Sequence, residues 1–152
     1  MTRAIVSKSN ATFTDLITAT TQQNSTFYTV PDSERNTMVG IKGNISYSVY
    51  DTSSSAGVLK MIIYRQPNGN AAAPSIPTSD SAQPICDRMA DVIWSQVAVL
   101  HESDRTSYNI QIDIKTQRKM YSGDKFNVSF VTSNANCYAS VAYNLNTFSL
   151  ES

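Results

Sequence analysis

The stretch Tyr108-Asn109-Ile110-Gln111-Ile112-Asp113-Ile114-Lys115, YNIQIDIK, alternates strictly between apolar and polar side chains. Successive side chains of a β-strand point to opposite faces, whereas an α-helix would scatter these isoleucines around its surface. Tyr108 and the three isoleucines therefore lie on one face. The stretch predicts a strand with one buried face and one polar face.

The same alternation recurs elsewhere from Met38 onwards. It predicts a strand in MVGIKGNISYSVY (38–50), where Gly43 marks a bulge or a close backbone approach. Two further alternating strands are predicted around Phe126–Phe130 and from Cys137 to about Phe148. Together these segments favour antiparallel sheets with one face on a core.

Two segments depart from simple alternation. VLKMIIYR (58–65) is nearly continuously apolar, which predicts a central strand buried on both faces. DVIWSQVAVL (91–100) carries apolar positions whose parity slips at Gln96, which predicts a bulge there. Between them lies a long loop rich in proline, and long loops are often functional.

The composition suits this β pattern. Among 152 residues there are 21 Ser, 15 Thr and 12 Asn, and only 16% are charged. We predict one all-β domain over 1–152, an antiparallel β-sandwich with a single jelly roll of about eight strands. Its N-terminal segment 1–37 is less regular, with short strands expected at Ala4–Val6, Thr12–Ile17 and Thr26–Val30.

A family resemblance rests on strand order and turn chemistry. Five features follow one another in the sequence. They are VLKMIIYRQPNGN (58–70), the proline-rich loop, the strand from Val92, the polar connection before Tyr108 and the turn Ser122-Gly123-Asp124. Over residues 38–150 this order resembles small single jelly-roll viral coat proteins. The resemblance implies a subunit that binds copies of itself to form a shell or surface layer of a virion, assembled in the host cytoplasm or nucleus.

One difference from that family concerns the genome. Many such coat proteins have a basic N-terminal arm, but the first 34 residues here contain only Arg3 and Lys8 as cations. Four cations lie close together further on, at Lys115, Arg118, Lys119 and Lys125. They form a candidate weak nucleic-acid or phosphate contact, and the alternative is a solvated strand end protected by charge.

The only histidine lies in the segment HESDRT (101–106), which also holds Ser103 and Asp104. A catalytic triad needs groups that converge, usually from separate elements, and neighbouring loop residues point apart. We therefore predict no catalytic residue and no enzyme. The segment is instead expected to be a polar connection into the Tyr108 strand, in which Ser103 and Asp104 form local side-chain-to-backbone hydrogen bonds. The alternative is that Glu102, Asp104 and Arg105 contact a neighbouring subunit.

No cofactor or metal is expected, because one histidine and two distant cysteines offer no metal-ligand spacing. Whether Cys86 and Cys137 form a disulfide stays open. No apolar run approaches the roughly 18 residues of a transmembrane helix.

A second function remains open, namely a carbohydrate- or receptor-binding module such as a viral attachment domain. It would need an exposed tyrosine or tryptophan pair. Tyr47, Tyr108, Tyr143 and Phe126 lie on the apolar side of their strands, which favours a role in the core.

Overall fold

The computed structural model of the chain describes residues 4–17, 22–31, 37–52, 57–69, 76, 91–100, 107–132 and 137–151. These ranges contain eight β-strands: β1 (Ala4–Ile17), β2 (Gln23–Thr29), β3 (Thr37–Thr52), β4 (Gly57–Gln66), β5 (Val92–Leu100), β6 (Ser107–Lys119), β7 (Lys125–Thr132) and β8 (Cys137–Glu151). They form two four-stranded sheets. The first sheet has the order β1-β8-β3-β6, and the second sheet has the order β2-β7-β4-β5.

The strand pairing defines the fold. β1 pairs with β8, β2 with β7, β3 with β6 and β4 with β5, always antiparallel. The chain thus pairs as one long hairpin whose tip is the β4–β5 connection. Additional pairs, β3 with β8 and β4 with β7, wrap this hairpin into the two sheets. This arrangement is a jelly roll, and the prediction of an all-β jelly-roll sandwich is confirmed.

The core lies between the two sheets. It contains the alternating residues of the inner faces, and aromatic rings stack across it, with Phe13 between Phe130 and Tyr143. Buried inner-face residues include Ile17, Phe27, Met38, Ile41, Ile45, Leu59, Met61, Ile63, Leu100, Ile112, Ile114, Phe126, Val128, Phe130, Val141, Tyr143 and Leu145.

β6 confirms the prediction that its alternating apolar and polar residues lie on opposite faces of one strand. Ile112 and Ile114 are buried in the core, while Gln111, Asp113 and Lys115 are exposed on the opposite face. β4 confirms the second pattern, since it is buried on both faces over its first eight residues.

The second sheet is covered on its outer face. Ile62 and Tyr64 of β4 pack there with Val131 of β7 and with Ile76 from the β4–β5 connection. The main-chain N–H of Ile76 donates a hydrogen bond of 2.8 Å to the side chain of Gln22. A second, smaller apolar cluster therefore lies outside the sandwich, and this explains why β4 reads as continuously apolar.

The predicted bulge at Gln96 is wrong. Gln96 pairs in regular register with Met61, and the register shift lies instead between Trp94 and Val92. As a result Ala98 and Leu100 point into the core, while Val99 lies on the outer face and is exposed. The prediction assigned the valines of this strand to the core face, but valine also occupies solvent-facing positions here.

The N-terminal part of the chain is more regular than expected. The two short strands predicted at Ala4–Val6 and Thr12–Ile17 are one strand, β1, interrupted by a register shift between Ser7 and Ser9. Gly43 shows the second of its two predicted roles, a close approach, because a Cβ atom there would collide with the carbonyl oxygen of Asn144.

Candidate functional site: the outer face of the first sheet

The outer face of the first sheet carries the side chains that point away from the core on β1, β8, β3 and β6. One half of this face is uncharged. Residues paired across the four strands form rows there, such as Thr12–Asn144–Asn44–Gln111 and Thr14–Ala142–Ser46–Asn109. These two rows contain no charged residue, so this half presents amides, hydroxyls and the methyl groups of Thr12, Thr14 and Ala142.

The other half of the face holds a groove of about 590 Å³. Apolar side chains line one side of it, contributed by Ile5 of β1, Phe148 of β8 and Val39 of β3. Its volume falls within the range of small-molecule sites. Gly40 contributes no side chain, and a Cβ there would lie 3.3 Å from the carbonyl oxygen of Ile114.

Lysines line the other side of the groove. Lys42 of β3 and Lys115 of β6 both contribute to its wall. The register pairs Lys42 with Asp113 and Gly40 with Lys115, so the two lysines are diagonal neighbours on adjacent strands. The Lys42 ammonium also lies 5.9 Å from the centre of the Phe148 ring, a cation–π distance.

The structure divides the predicted cation cluster. Lys115 and Lys119 are exposed, and the register places both on the outer face of the first sheet, opposite Gly40 and Thr37. Arg118 lies elsewhere, because its guanidinium donates to Asp91 at 3.2 Å. Lys125 begins β7 in the second sheet. The geometry therefore brings two of the four cations together.

Arg118 belongs to a network of ion pairs at one end of the sandwich. Asp91 accepts from Arg118 and, at 3.4 Å, from Arg65, which also lies 3.8 Å from Asp124. Asp124 is buried and accepts main-chain hydrogen bonds from Asn68 and Tyr121, both at 3.0 Å. These contacts join the turn after β4 to the turn before β7, which indicates a structural role.

Sequence reasoning missed Lys42. Its partners on the face, Lys115 and Phe148, are distant in the chain and become neighbours only through the pairing of β3 with β6 and β8. The one local signal is the place of Lys42 on the polar side of an alternating strand, and many lysines share that signal.

β5 forms one edge of the second sheet. Its nine residues, VIWSQVAVL, contain no charged side chain. Val99 points outward and is 54% exposed. Within the described part of the chain no strand pairs with the other side of β5.

Of the four aromatic residues predicted for the core face, Phe126, Tyr143 and Tyr47 contact the core, whereas Tyr108 is exposed, so the prediction of core packing is wrong for Tyr108. Phe126 and Tyr143 are buried, and the Tyr143 hydroxyl is 2.6 Å from that of Ser25 on the facing sheet. Burial raises the pKa of Tyr143, and the hydrogen bond with Ser25 offsets part of that rise. Tyr47 and Tyr108 stack at 5.2 Å, and Tyr108 remains 37% exposed at the start of β6.

Several predicted residues lie outside the described residues. They are His101, Glu102, Asp104 and Arg105, together with Cys86, the prospective partner of Cys137. Across the parts of the chain that the structure describes, three or more His, Cys, Asp or Glu residues never gather as a metal site would require. The same parts contain no helix long and apolar enough to span a membrane.

Comparison with known proteins gives distant similarities in structure. A scan against protein-family models finds no match, and no curated protein sequence matches. A structure of infectious bursal disease virus, Gx strain, aligns with a TM-score of 0.40 and 10% identity over 97% of this chain and 31% of that chain.

The VP2 subviral particle of the same virus aligns with a TM-score of 0.28 and 7% identity, over 98% of this chain and 42% of that chain. A structure of the Gt strain aligns with a TM-score of 0.28 and 10% identity, over 97% of this chain and 42% of that chain. This chain thus spans less than half the length of these solved chains. The fold assignment rests on the strand pairing.

Proposed function

We propose that this protein is a structural subunit of a viral coat, which binds copies of itself to form a symmetric shell or surface layer of the virion. The observation that carries the proposal is the edge strand β5, which has no charged residue and exposes Val99. One fold can host many functions, so the function is inferred from this surface and not from the fold.

An edge strand presents unpaired N–H and C=O groups, and proteins usually protect such edges with charges or prolines. β6, one of the two edge strands of the first sheet, carries Lys115, Arg118 and Lys119 and is protected in this way. β5 lacks this protection, and the cores of protein interfaces are likewise depleted in charge. An unprotected apolar edge fits a contact between copies, and symmetry repeats each weak contact many times.

Two further surfaces are proposed as contacts in the same assembly. The first is the polar connection with Glu102, Asp104 and Arg105, which follows β5 directly in the sequence. The second is the uncharged half of the outer face of the first sheet, whose rows of amides and hydroxyls supply hydrogen bonds without the desolvation cost of charges.

The test is the state of association of the purified chain. Light scattering and electron microscopy should show large, uniform particles for the wild type. Val99→Lys should abolish them, because it places a charge on the contacting edge. Tyr121→Lys is the matched control, since Tyr121 is similarly exposed, at 51%, in a turn outside the strands. A wild-type chain that stays monomeric, or particles unaffected by Val99→Lys, would sink the proposal.

A contact with the viral genome is proposed at a narrower site than the sequence indicated. Lys115 and Lys119 share the outer face of the first sheet with Lys42, whereas Arg118 is engaged by Asp91. Binding of a single-stranded oligonucleotide should weaken on Lys119→Gln and fall steeply with salt. Unchanged binding of Lys119→Gln would remove this face from the genome contact.

One observation favours the second candidate function, a glycan- or receptor-binding module. The Tyr47–Tyr108 pair is stacked and partly exposed at the start of β6, and sugars bind on aromatic faces. A glycan array probed with wild type and Tyr108→Ala distinguishes the two functions. Glycan binding by a persistent monomer, lost in Tyr108→Ala, would replace the coat proposal.

A further inference from the structure

We infer that the groove on the outer face of the first sheet binds an anionic amphiphile of the long-chain carboxylate class. The groove joins an apolar wall to a cationic wall, and such a ligand has the same two parts. This inference does not rest on the coat function, because it concerns a site within one copy of the chain.

The apolar wall suits an alkyl chain. Ile5 is 68% exposed, although isoleucine gains free energy when it is removed from water. Phe148 and Val39 are only partly buried and line the groove with it. These three side chains come from three strands, so a chain lying across the strands would cover all of them.

The cationic wall suits a single carboxylate. Lys42 and Lys115 occupy diagonal positions on β3 and β6, which places their Cβ atoms somewhat less than about 7–8 Å apart. Both side chains are long enough to approach one anion between them. Asp113 lies directly opposite Lys42 and lowers the local positive potential, so its removal should strengthen anion binding.

The floor of the groove argues against a peptide strand as the ligand. β8 and β3 are central strands, and each pairs with a neighbouring strand on both sides. Their main-chain groups are thus already used, and a peptide lying there would find no ladder of backbone partners. An alkyl chain needs no hydrogen bonds, which makes it the better match to this floor.

The experiment is a titration of the isotopically labelled full chain, followed by NMR, with dodecanoate below its micelle concentration. We expect the largest shift changes at Val39–Lys42, Lys115–Gln117 and Phe148. Butanoate shares only the head group and dodecyltrimethylammonium carries the opposite charge. Each should bind about tenfold more weakly or not at all.

Variants locate the two parts of the site. Lys42→Met and Lys115→Met should each weaken dodecanoate binding about threefold, as exposed charge pairs do, and about tenfold together. Ile5→Ser should weaken it through lost apolar contact, and Asp113→Asn should strengthen it. Lys125→Met is the control, because Lys125 is an exposed lysine in the second sheet. This variant should bind dodecanoate as tightly as wild type.

Three results would overturn the inference. They are equal binding of dodecanoate and dodecyltrimethylammonium, shift changes confined to another surface, and a double lysine variant that binds as wild type. A fourth concerns nucleic acid. If an oligouridylate binds the same lysines, displaces dodecanoate and is indifferent to Ile5→Ser, the groove is a nucleic-acid site. Particle formation is measured separately, so loss of the coat proposal would leave this test intact.

Discussion

The two sheets use their outer faces in opposite ways. The outer face of the second sheet is a small second core, in which Ile62 and Tyr64 are as buried as the residues between the sheets. The outer face of the first sheet is open, with amides and hydroxyls in one half and the lysine-lined groove in the other. Truncations within the buried cluster of the second sheet should therefore reduce stability, whereas truncations on the outer face of the first sheet should leave stability nearly unchanged.

The strongest test of this difference replaces matched isoleucines on the two outer faces. Ile62→Ala in the second sheet should lower the free energy of unfolding by about 3 kcal/mol, because it leaves a cavity in a packed cluster. Ile5→Ala in the first sheet should change it by less than about 0.5 kcal/mol, since Ile5 is mostly exposed. Urea unfolding measures both. Equal losses would show that the two faces do not differ as described.

Matched asparagines give a smaller difference. Asn127 on the outer face of the second sheet is buried, accepts from Thr26 at 2.7 Å and donates to Gln66 at 3.0 Å. Asn127→Ala should cost about 2 kcal/mol, because it removes a buried amide together with its two hydrogen bonds.

The counterpart is Asn144, which is exposed on the first sheet. Asn144→Ala should cost less than about 0.5 kcal/mol in the same urea experiment. If the two alanine variants unfold at the same urea concentration, the polar contacts over the second sheet contribute nothing measurable.

The smallest expected effect concerns the space between the sheets. Burial raises the pKa of Tyr143 above its ordinary value of 10.0, so folding favours the neutral phenol. Its contribution is fully present below pH 10 and is lost as the pH rises through the folded-state pKa, because the unfolded phenol ionises first.

Wild type should therefore lose stability above pH 10 more steeply than Tyr143→Phe. Ser25→Ala is the control, since it removes the hydrogen bond and keeps the phenol. Thermal unfolding between pH 8 and 11 measures how steeply stability falls with pH in each variant. Each unit by which folding raises the pKa corresponds to about 1.4 kcal/mol of stability. Parallel slopes for wild type and Tyr143→Phe would contradict the assignment.

Much of the fold could be predicted from the sequence, because alternation is a local property. The isoleucines of β6 identified a strand and its buried face, and the apolar run of β4 identified a central strand. The parity of β5 was wrong because Val99 resembles a core residue but lies on an exposed edge. Local pattern does not show which face another segment covers.

The site was less predictable, because it depends on pairing between distant segments. Lys115 and Lys119 were singled out as neighbours in sequence, yet Arg118 between them turns to Asp91 across the end of the sandwich. Lys42 and Phe148 join Lys115 only through the register of three strands. The spacing of these residues along the sequence does not show how the three strands are aligned with one another.

The coat proposal places the contact between copies of the chain at the edge strand β5. Hydrogen–deuterium exchange of the wild-type chain, dilute and concentrated, tests it most directly. We expect the β5 amides to become protected as particles form, while the amides of Gly40 and Lys42 in the groove exchange as before. Unchanged exchange in β5, with new protection confined to the β1 or β6 edge, would contradict it.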